Sequence, residues 1–328
     1  MPLSRSATAA TIPVSILDAV LHALHEHGDT TPIQRVQRVK GGYESTSVRL
    51  TTRRRHYFLK WAPAGAQGGF QAEAAHLSLL AATGAVAVPA VLQAVDPPER
   101  AAHAGMQTPA DHALGFLLME WLTPPSREVF QQRVGRELGT AVARMHAARA
   151  IGEVPIGGYG PAEAIHDTSP WRADWVAHYR DALLRPQIDL AAREDRLSAA
   201  SCERLERLLD RLDAWLGGVA RQPALIHGDL HRANVLCNAA GALVLIDPHP
   251  FFADRELELA YMDWVGGFPP AFYLTYEATY PCAPERQERR DLYLLYWRLQ
   301  RLNWADSLWS QQAAPIEAVV RLYVGTAT

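Results

Sequence analysis

Cysteine is scarce in this chain of 328 residues, and long apolar runs are missing. Its three cysteines are widely spaced and form no Cys-x-x-Cys pair, which argues against a disulfide framework and a zinc site. No stretch approaches the length needed to span a bilayer, and residues 1–12 lack the apolar core of a signal peptide. We therefore expect a cytoplasmic protein without a membrane segment.

A strong charge bias is also missing, since the formal net charge is −3. Arg53, Arg54 and Arg55 form one short basic run. Strand-like segments flank this run, so it fits the exposed turn of a β-hairpin better than a patch that binds a polyanion. We expect no nucleic-acid partner.

The length exceeds the usual size of a single domain, which favours two lobes around a cleft. Residues 33–40, 47–51 and 56–61 are short runs with alternating or β-branched character, whereas the chain beyond the two prolines at 124–125 is mainly helical in pattern. The sequence predicts an α+β protein. Residues 1–122 would form a small N-terminal lobe with an antiparallel sheet, and residues 123–328 a larger helical lobe.

Polar residues at regular spacing stand out between apolar strand-like runs. Asp229 follows His227 and Gly228, Asn234 comes five residues later, and Asp247 ends the next apolar run. Phosphoryl transfer to a hydroxyl needs a carboxylate that accepts or orients the proton, and oxygen ligands that hold magnesium on the phosphates. The Asp-to-Asn spacing is that of the H-R-D-x-x-x-x-N loop of kinases, with glycine in place of arginine.

The tripeptide His-Gly-Asp alone can be an ordinary turn, and an aspartate at a strand end is common. The combination with Asn234, Asp247 and the apolar frame is far more specific. We predict Asp229 as the catalytic base and Asn234 and Asp247 as magnesium ligands, with ATP as the phosphoryl donor. For His227, a role in anchoring the loop is favoured over contact with substrate.

An upstream lysine and glutamate complete this pattern. Lys60 lies in a predicted strand and Glu73 in the helix that follows, the order in which kinases place the lysine that contacts the α- and β-phosphates and its ion-pair partner. A single lysine at a strand end is usually a solvated surface charge. The prediction therefore depends on the order of the two residues along the chain.

Two further segments are predicted to contact the nucleotide. Gly41, Gly42 and Ser45 lie between two predicted strands, where backbone N–H groups and a hydroxyl could cover the phosphates, although a Gly-Gly pair is also an ordinary turn. The apolar strand that ends near Glu120 and Leu122 would offer backbone groups to the adenine.

At this point the sequence resembles the fructosamine (ketosamine) kinases, relatives of the aminoglycoside and choline phosphotransferases in the protein-kinase-like superfamily. The resemblance extends from about Val39 to Asn303 and includes residues 70–74, 116–122 and 266–273. It implies a kinase-like fold that uses ATP and Mg²⁺ to phosphorylate a sugar hydroxyl of a ketoamine. The implied purpose is repair, because the phosphorylated glycation adduct is unstable and releases the amine.

Departures from the family pattern adjoin the acceptor site. His231-Arg232-Ala233 replaces a triplet such as Trp-Ser-Gly, His249 begins an unusual run after the metal-binding Asp-Pro, and Glu258 replaces an expected aspartate. His231 and His249 are candidates for contact with substrate, with solvated loop histidines as the alternative. Asp263 is a candidate for contact with a ligand amine.

Other acceptors and functions stay open at this stage. An aminoglycoside-, homoserine- or choline-type phosphotransferase would use the same catalytic residues and differ in its acceptor. A nucleotide-binding protein without activity is less favoured, because the base, the lysine and both metal ligands are present. The partner is expected to be a free or protein-bound ketoamine, and the assembly a monomer or homodimer.

Overall fold

The computed structural model describes six stretches of the chain: residues 11–39, 45–63, 69–97, 114–166, 171–304 and 311–324. Gly41 and Gly42 of the predicted phosphate loop lie outside these described residues. Within the described residues, no helix is both long enough and apolar enough to cross a membrane.

Within the described residues, the chain up to Glu120 contains five strands and two helices, and helices dominate the rest. In chain order, the elements are α1 (Val14–Glu26), β1 (Arg35–Arg38), β2 (Thr46–Thr51), β3 (His56–Pro63), α2 (Phe70–Ala81), β4 (Val91–Val95), β5 (Leu114–Glu120), α3 (Arg127–Val129), α4 (Gly139–Ala147), β6 (Ala150–Ile151), β7 (Val154–Pro155), β8 (Gly160–Pro161), α5 (Trp175–His178), α6 (Arg185–Arg193), α7 (Ala199–Leu209), α8 (Leu212–Leu216), β9 (Ala224–Ile226), β10 (Val235–Cys237), β11 (Leu243–Leu245), β12 (Phe251–Ala253), α9 (Arg255–Tyr261), α10 (Pro270–Thr279), α11 (Arg286–Asn303) and α12 (Ala313–Val324). Wider π-helical turns cover Phe130–Leu138, Tyr179–Leu184 and Met262–Gly266, and tighter 3-10 turns cover Ala162–Ile165 and Arg232–Asn234.

By its internal packing the chain divides into two compact units. The first comprises Met1–Ala81, Val86–Glu128 and Ala233–Pro248. The second comprises Ala82–Ala85, Val129–Arg232 and His249–Thr328. This division differs from the sequence-based boundary between residues 122 and 123 mainly in residues 233–248, which pack with the first unit.

The first unit is built on a five-stranded antiparallel sheet with the strand order β1-β2-β3-β5-β4. Side chains alternate between the two faces of a strand, so Tyr57, Leu59 and Trp61 of β3 share one face. These residues are buried in one apolar cluster with Val20 of α1. Lys60 has the opposite parity and therefore lies on the other face, where a charged side chain does not enter this core.

The β10–β11 hairpin is tied to the first unit by backbone hydrogen bonds. Thr123 and Cys237 exchange two such bonds, with N–O distances of 2.9 and 2.8 Å, and the Leu245 amide donates to the Ala87 carbonyl at 2.9 Å. These bonds explain why residues 233–248 belong to the first unit, although they follow more than 100 residues of the second unit along the chain.

The second unit is mainly helical and has one large apolar core. Tyr179 and Tyr293 are buried at its centre, and each satisfies its hydroxyl: Tyr179 donates to the Leu292 carbonyl at 2.7 Å and Tyr293 to Asp254 at 2.6 Å. A small antiparallel sheet of order β8-β12-β9 lies in the same unit. Strand β9 ends at Ile226, directly before the His-Gly-Asp segment, so the catalytic candidate follows a fully buried strand.

Candidate active site

The predicted Lys60–Glu73 ion pair forms within the first unit. The Lys60 ammonium on β3 donates to a carboxylate oxygen of Glu73 on α2. The two side chains are only 16% and 19% exposed, and the ammonium lies 5.7 Å from the centre of the Phe70 ring. An ammonium whose position is fixed in this way has the geometry to bind phosphate oxygens as a point charge.

The other predicted nucleotide contacts of the first unit lie near the sheet. Ser45 is half-buried directly before β2. Glu120 closes β5, and its amide donates to the Ala90 carbonyl while its side chain accepts from the Ala90 amide, both at 2.9 Å. Leu122 is buried two residues later. These two hydrogen bonds to Ala90 fix the backbone at the point where an adenine contact is predicted.

The two predicted magnesium ligands are brought together by the β10–β11 hairpin. Val235 is paired with Leu245, and the Ile246 amide donates to the Asn234 carbonyl at 3.1 Å. Asn234 immediately precedes β10 and Asp247 follows β11, so both lie at the same end of the hairpin. Asn234 is buried, whereas Asp247 is exposed.

The backbone of Asp247 also has a conformation that is uncommon for a residue other than glycine, with φ of 52°. Such conformations concentrate at functional sites. An amide oxygen and a carboxylate are ligands of the kind that Mg²⁺ prefers, and Mg²⁺ takes one or two protein ligands when phosphates and water supply the rest. The donor set therefore fits this ion.

Asp229 belongs to the second unit and is held there by a tyrosine and an arginine. The Tyr261 hydroxyl donates to Oδ1 of Asp229. The Arg301 guanidinium donates to the same hydroxyl at 2.8 Å and lies 4.0 Å from Oδ1. Oδ2 faces Nε2 of His231 at 3.6 Å. Burial works to raise the pKa of Asp229, but the contact with His231 and the hydrogen bond from Tyr261 outweigh it, and the pKa lies below its usual value.

The turn before Asp229 requires a glycine. Gly228 has φ of 83°, and a Cβ atom there would lie 1.9 Å from the His249 carbonyl oxygen. This close approach follows from the β9–β12 pairing, which continues into a bond from the His249 amide to the His227 carbonyl at 2.8 Å. Any side chain at residue 228 would push the two segments apart.

A completely buried glutamate supports the same turn. Glu258 of α9 accepts hydrogen bonds from the amides of His227 and Gly228, at 3.0 and 2.7 Å, and from His146 Nε2 at 2.9 Å. His146 in turn contacts the Tyr276 hydroxyl at 2.8 Å. Burial works to raise the pKa of Glu258, but the His146 contacts prevail and the pKa lies below the usual value. Glu258 therefore stays ionised and fixes the backbone before Asp229.

The predicted substrate contacts lie in the second unit. His231 is half-buried beside Asp229, and His249 is exposed on the segment that pairs with His227. Asp263 forms an ion pair with Arg286 at 3.0 Å, and both side chains are 16% exposed. A ligand amine at Asp263 would therefore have to compete with this guanidinium.

Sequence reasoning missed Tyr261 and Arg301 as partners of Asp229. Tyr261 lies 32 residues after Asp229 in the sequence, and Arg301 follows Tyr261 after a further 40 residues. Both residues are on helices, at positions whose apolar spacing is typical of an ordinary amphipathic helix. The sequence contains no local signal for the approach of α9 and α11 to the loop.

Comparison with known structures identifies the class of protein. The chain is similar to a thermostable mutant of aminoglycoside phosphotransferase APH(4)-Ia in ternary complex with AMP-PNP and hygromycin B, with a TM-score of 0.60 and 16% identity over 95% of this chain and 100% of that chain. It is also similar to a fructosamine-3-kinase candidate from Thermobifida fusca, with a TM-score of 0.67 and 25% identity over 94% and 99% of the two chains. The predicted two-lobe α+β fold of protein-kinase-like enzymes is confirmed.

Sequence comparison narrows the class. The family model for fructosamine kinase matches residues 17–321, so the chain belongs to the fructosamine kinase family, as its motifs indicated. A probable ketoamine kinase from Lactiplantibacillus plantarum is 32% identical over 83% of this chain and 89% of its own length. A chloroplastic protein-ribulosamine 3-kinase from Oryza sativa subsp. japonica is 26% identical over 91% and 82% of the two chains.

Proposed function

We propose that the protein is an ATP-dependent kinase that phosphorylates a sugar hydroxyl of ketosamines, the adducts that form when a sugar glycates an amine. The observation that carries this proposal is Asp229: in a member of the fructosamine kinase family, this carboxylate is held ionised by Tyr261 and His231 directly after a buried strand. An ionised carboxylate at this position of a kinase loop is suited to accept the proton of an acceptor hydroxyl.

The reaction assigns a role to each group. The acceptor oxygen attacks the γ-phosphorus of ATP, the bond from that phosphorus to the bridging oxygen breaks, and ADP leaves with the electron pair. The hydroxyl proton passes to Asp229. Lys60, oriented by Glu73, would hold the α- and β-phosphates, while Ser45, Gly41 and Gly42 would lie near them. The backbone near Glu120 and Leu122 would contact the adenine.

Asn234 and Asp247 would hold Mg²⁺, which, when bound, neutralises charge on the β- and γ-phosphates. Support for this role comes from their common end of the β10–β11 hairpin and from the unusual backbone of Asp247. Support for ATP comes from the AMP-PNP complex of the aminoglycoside phosphotransferase.

The ketosamine acceptor is supported by the names of the relatives, a ketoamine kinase and a protein-ribulosamine 3-kinase. We assign His231 and His249 to the acceptor side because both adjoin the Asp229 turn. Asp263 is a further candidate on this side. Phosphorylation of such an adduct would lead to release of the amine, and we place this repair reaction in the cytoplasm, by a monomer or homodimer.

The test measures ADP release with Mg²⁺ for a panel of acceptors: fructosyl-lysine, ribulosyl-lysine, an aminoglycoside, choline and homoserine. Each acceptor is tested with the wild type, Asp229→Asn and the control Asp189→Asn, which removes an exposed carboxylate of α6. Turnover of a ketoamine that is lost only in Asp229→Asn is the expected result. Turnover confined to another acceptor would overturn the ketosamine assignment and keep the kinase chemistry.

A further inference from the structure

Two arginine–aromatic pairs follow one another along helix α11 of the second unit. Arg301 and Arg298 are three residues apart on this helix and therefore share one face. Arg301 donates to the Tyr261 hydroxyl at 2.8 Å, and the Arg298 guanidinium lies 4.9 Å from the centre of the Trp264 ring. We call Arg301–Tyr261 the inner pair and Arg298–Trp264 the outer pair.

The inner pair adjoins Asp229, and the outer pair lies next to the inner pair. Tyr261 donates to Oδ1 of Asp229, and Arg301 lies 4.0 Å from that oxygen. The rings of Tyr261 and Trp264 meet edge to face, with 6.4 Å between their centres. Three residues of a helix span about 4.5 Å along its axis. The outer pair is therefore within reach of the far end of an acceptor whose hydroxyl lies at Asp229.

The outer pair carries a positive charge that no carboxylate nearby neutralises. Within the described residues, Arg298 forms no ion pair. The charge of Asp291 acts on Arg298, but Asp291 is paired with Arg290 at 3.1 Å. Burial is the main influence on Arg298 and lowers its pKa, so the charged guanidinium is not fully compensated by its surroundings.

One edge of the Arg298 guanidinium also lacks an acceptor. Nη1 donates to Oε1 of Gln312 at 3.0 Å, whereas Nε is buried without a hydrogen-bond partner in the described part of the chain. On the same helix, Arg289 uses its Nε and Nη2 to bind both oxygens of Glu256, at 2.8 and 2.7 Å. A carboxylate binds this edge of a guanidinium through two parallel bonds. Arg298 thus lacks the carboxylate that Arg289 has.

Building on the kinase function proposed above, we propose that the outer pair binds a carboxylate of the acceptor, so that the preferred substrates are ketosamines of free amino acids. A planar carboxylate matches the unpaired edge of Arg298, and the Trp264 ring fixes the plane of the guanidinium, which reduces the freedom lost on binding. A glycated lysine inside a protein chain has no free carboxylate and would leave Arg298 unpaired. Arg298 is therefore a specificity-determining residue on the acceptor side of Asp229.

The test compares two acceptors that differ by one charge: Nα-acetyl-Nε-fructosyl-lysine, which has a free carboxylate, and its carboxamide. The ribulosyl forms of both are measured alongside. ADP release with ATP and Mg²⁺ gives kcat and KM for the wild type, Arg298→Gln and Arg298→Lys. Arg193→Gln is the matched control, because it removes one positive charge from an exposed position at the end of α6.

We expect the wild type to prefer the carboxylate about tenfold or more in kcat/KM, chiefly through a lower KM. Arg298→Gln should lose this preference while its turnover of the carboxamide is unchanged. Arg298→Lys should retain part of the preference, because it keeps the charge and loses the planar fork. Arg193→Gln should retain all of it.

Equal kcat/KM for the two acceptors in the wild type would overturn this inference and leave the proposed function intact, and that result does not depend on the folding of any variant. A preference that survives in Arg298→Gln would also overturn it, because another group would then bind the carboxylate. So would an equal loss for both acceptors, since Arg298 would then act through the fold. No turnover of any of the four acceptors would overturn the proposed function and this inference with it.

Discussion

Two glutamates of this protein, Glu73 and Glu258, pair with a lysine and a histidine, respectively, and the two pairs differ in how deeply they are buried. Glu73 forms a partly solvated ion pair with Lys60, with 19% and 16% of the side chains exposed. Glu258 is buried with His146, at 1% and 0%, and also accepts two backbone amides. An ion pair that keeps some contact with water contributes less to stability than a fully buried network, from which removal of one partner is costly. The first pair can serve ligand binding, and the second serves the architecture of the Asp229 turn.

The largest effect on folding should come from Glu258→Gln. The variant loses the negative charge that three donors share, so we expect a loss of about 3 kcal/mol in the free energy of unfolding, measured by urea denaturation. In the folded protein the pKa of Glu258 lies below the usual 4.5, so its stabilisation is fully present above pH 4.5. The wild type should lose this stabilisation as pH falls from 4.5 through the folded-state pKa. Unchanged stability in Glu258→Gln would contradict the view that the buried Glu258 network supports the Asp229 turn.

Lys60→Met should have the opposite profile, with a large loss of activity and little change in stability. We expect kcat/KM for ATP to fall about 10²–10³-fold, because a fixed cation at the phosphates is lost. The free energy of unfolding should change by less than about 1 kcal/mol. Glu73→Gln should reduce kcat/KM in the same direction, and the double variant should be no worse than Lys60→Met, since Glu73 acts through Lys60. Additive losses would show that the two residues act independently.

Tyr261→Phe should have the smallest effect, visible mainly in the pH profile. The hydrogen bond from Tyr261 lowers the pKa of Asp229, so its removal should raise that pKa. Activity falls at low pH because Asp229 must be ionised to accept the proton. In Tyr261→Phe the acidic limb of the plot of kcat against pH should therefore move to higher pH, and kcat near neutral pH should be reduced only modestly. An unmoved acidic limb would show that Tyr261 does not tune this carboxylate.

The parts of the site that could be predicted from sequence are those formed by residues close together along the chain. Lys60 and Glu73 are 13 residues apart on adjacent elements, and Lys60 is one of only two lysines in the chain, the other being Lys40. Strand alternation and element order suffice for such a pair. The β10–β11 hairpin that joins Asn234 and Asp247 is equally local, because a short turn connects its strands.

The supports of Asp229 could not be predicted in this way. Tyr261 and Arg301 reach the loop from α9 and α11, whose approach depends on the packing of the whole second unit. Glu258 was noticed only as a departure from an expected aspartate. Its bonds to two backbone amides and to His146, 112 residues away, are visible only once the chain is folded.

The most direct test of the central claim is mass spectrometry of fructosyl-lysine and ribulosyl-lysine after incubation with the protein, ATP and Mg²⁺. The account predicts a ketoamine product that gains one phosphate group, formed by the wild type and by Asp189→Asn but reduced about 10²–10⁴-fold in Asp229→Asn. A ketoamine left unmodified by the wild type, or phosphorylated equally well by Asp229→Asn, would contradict it.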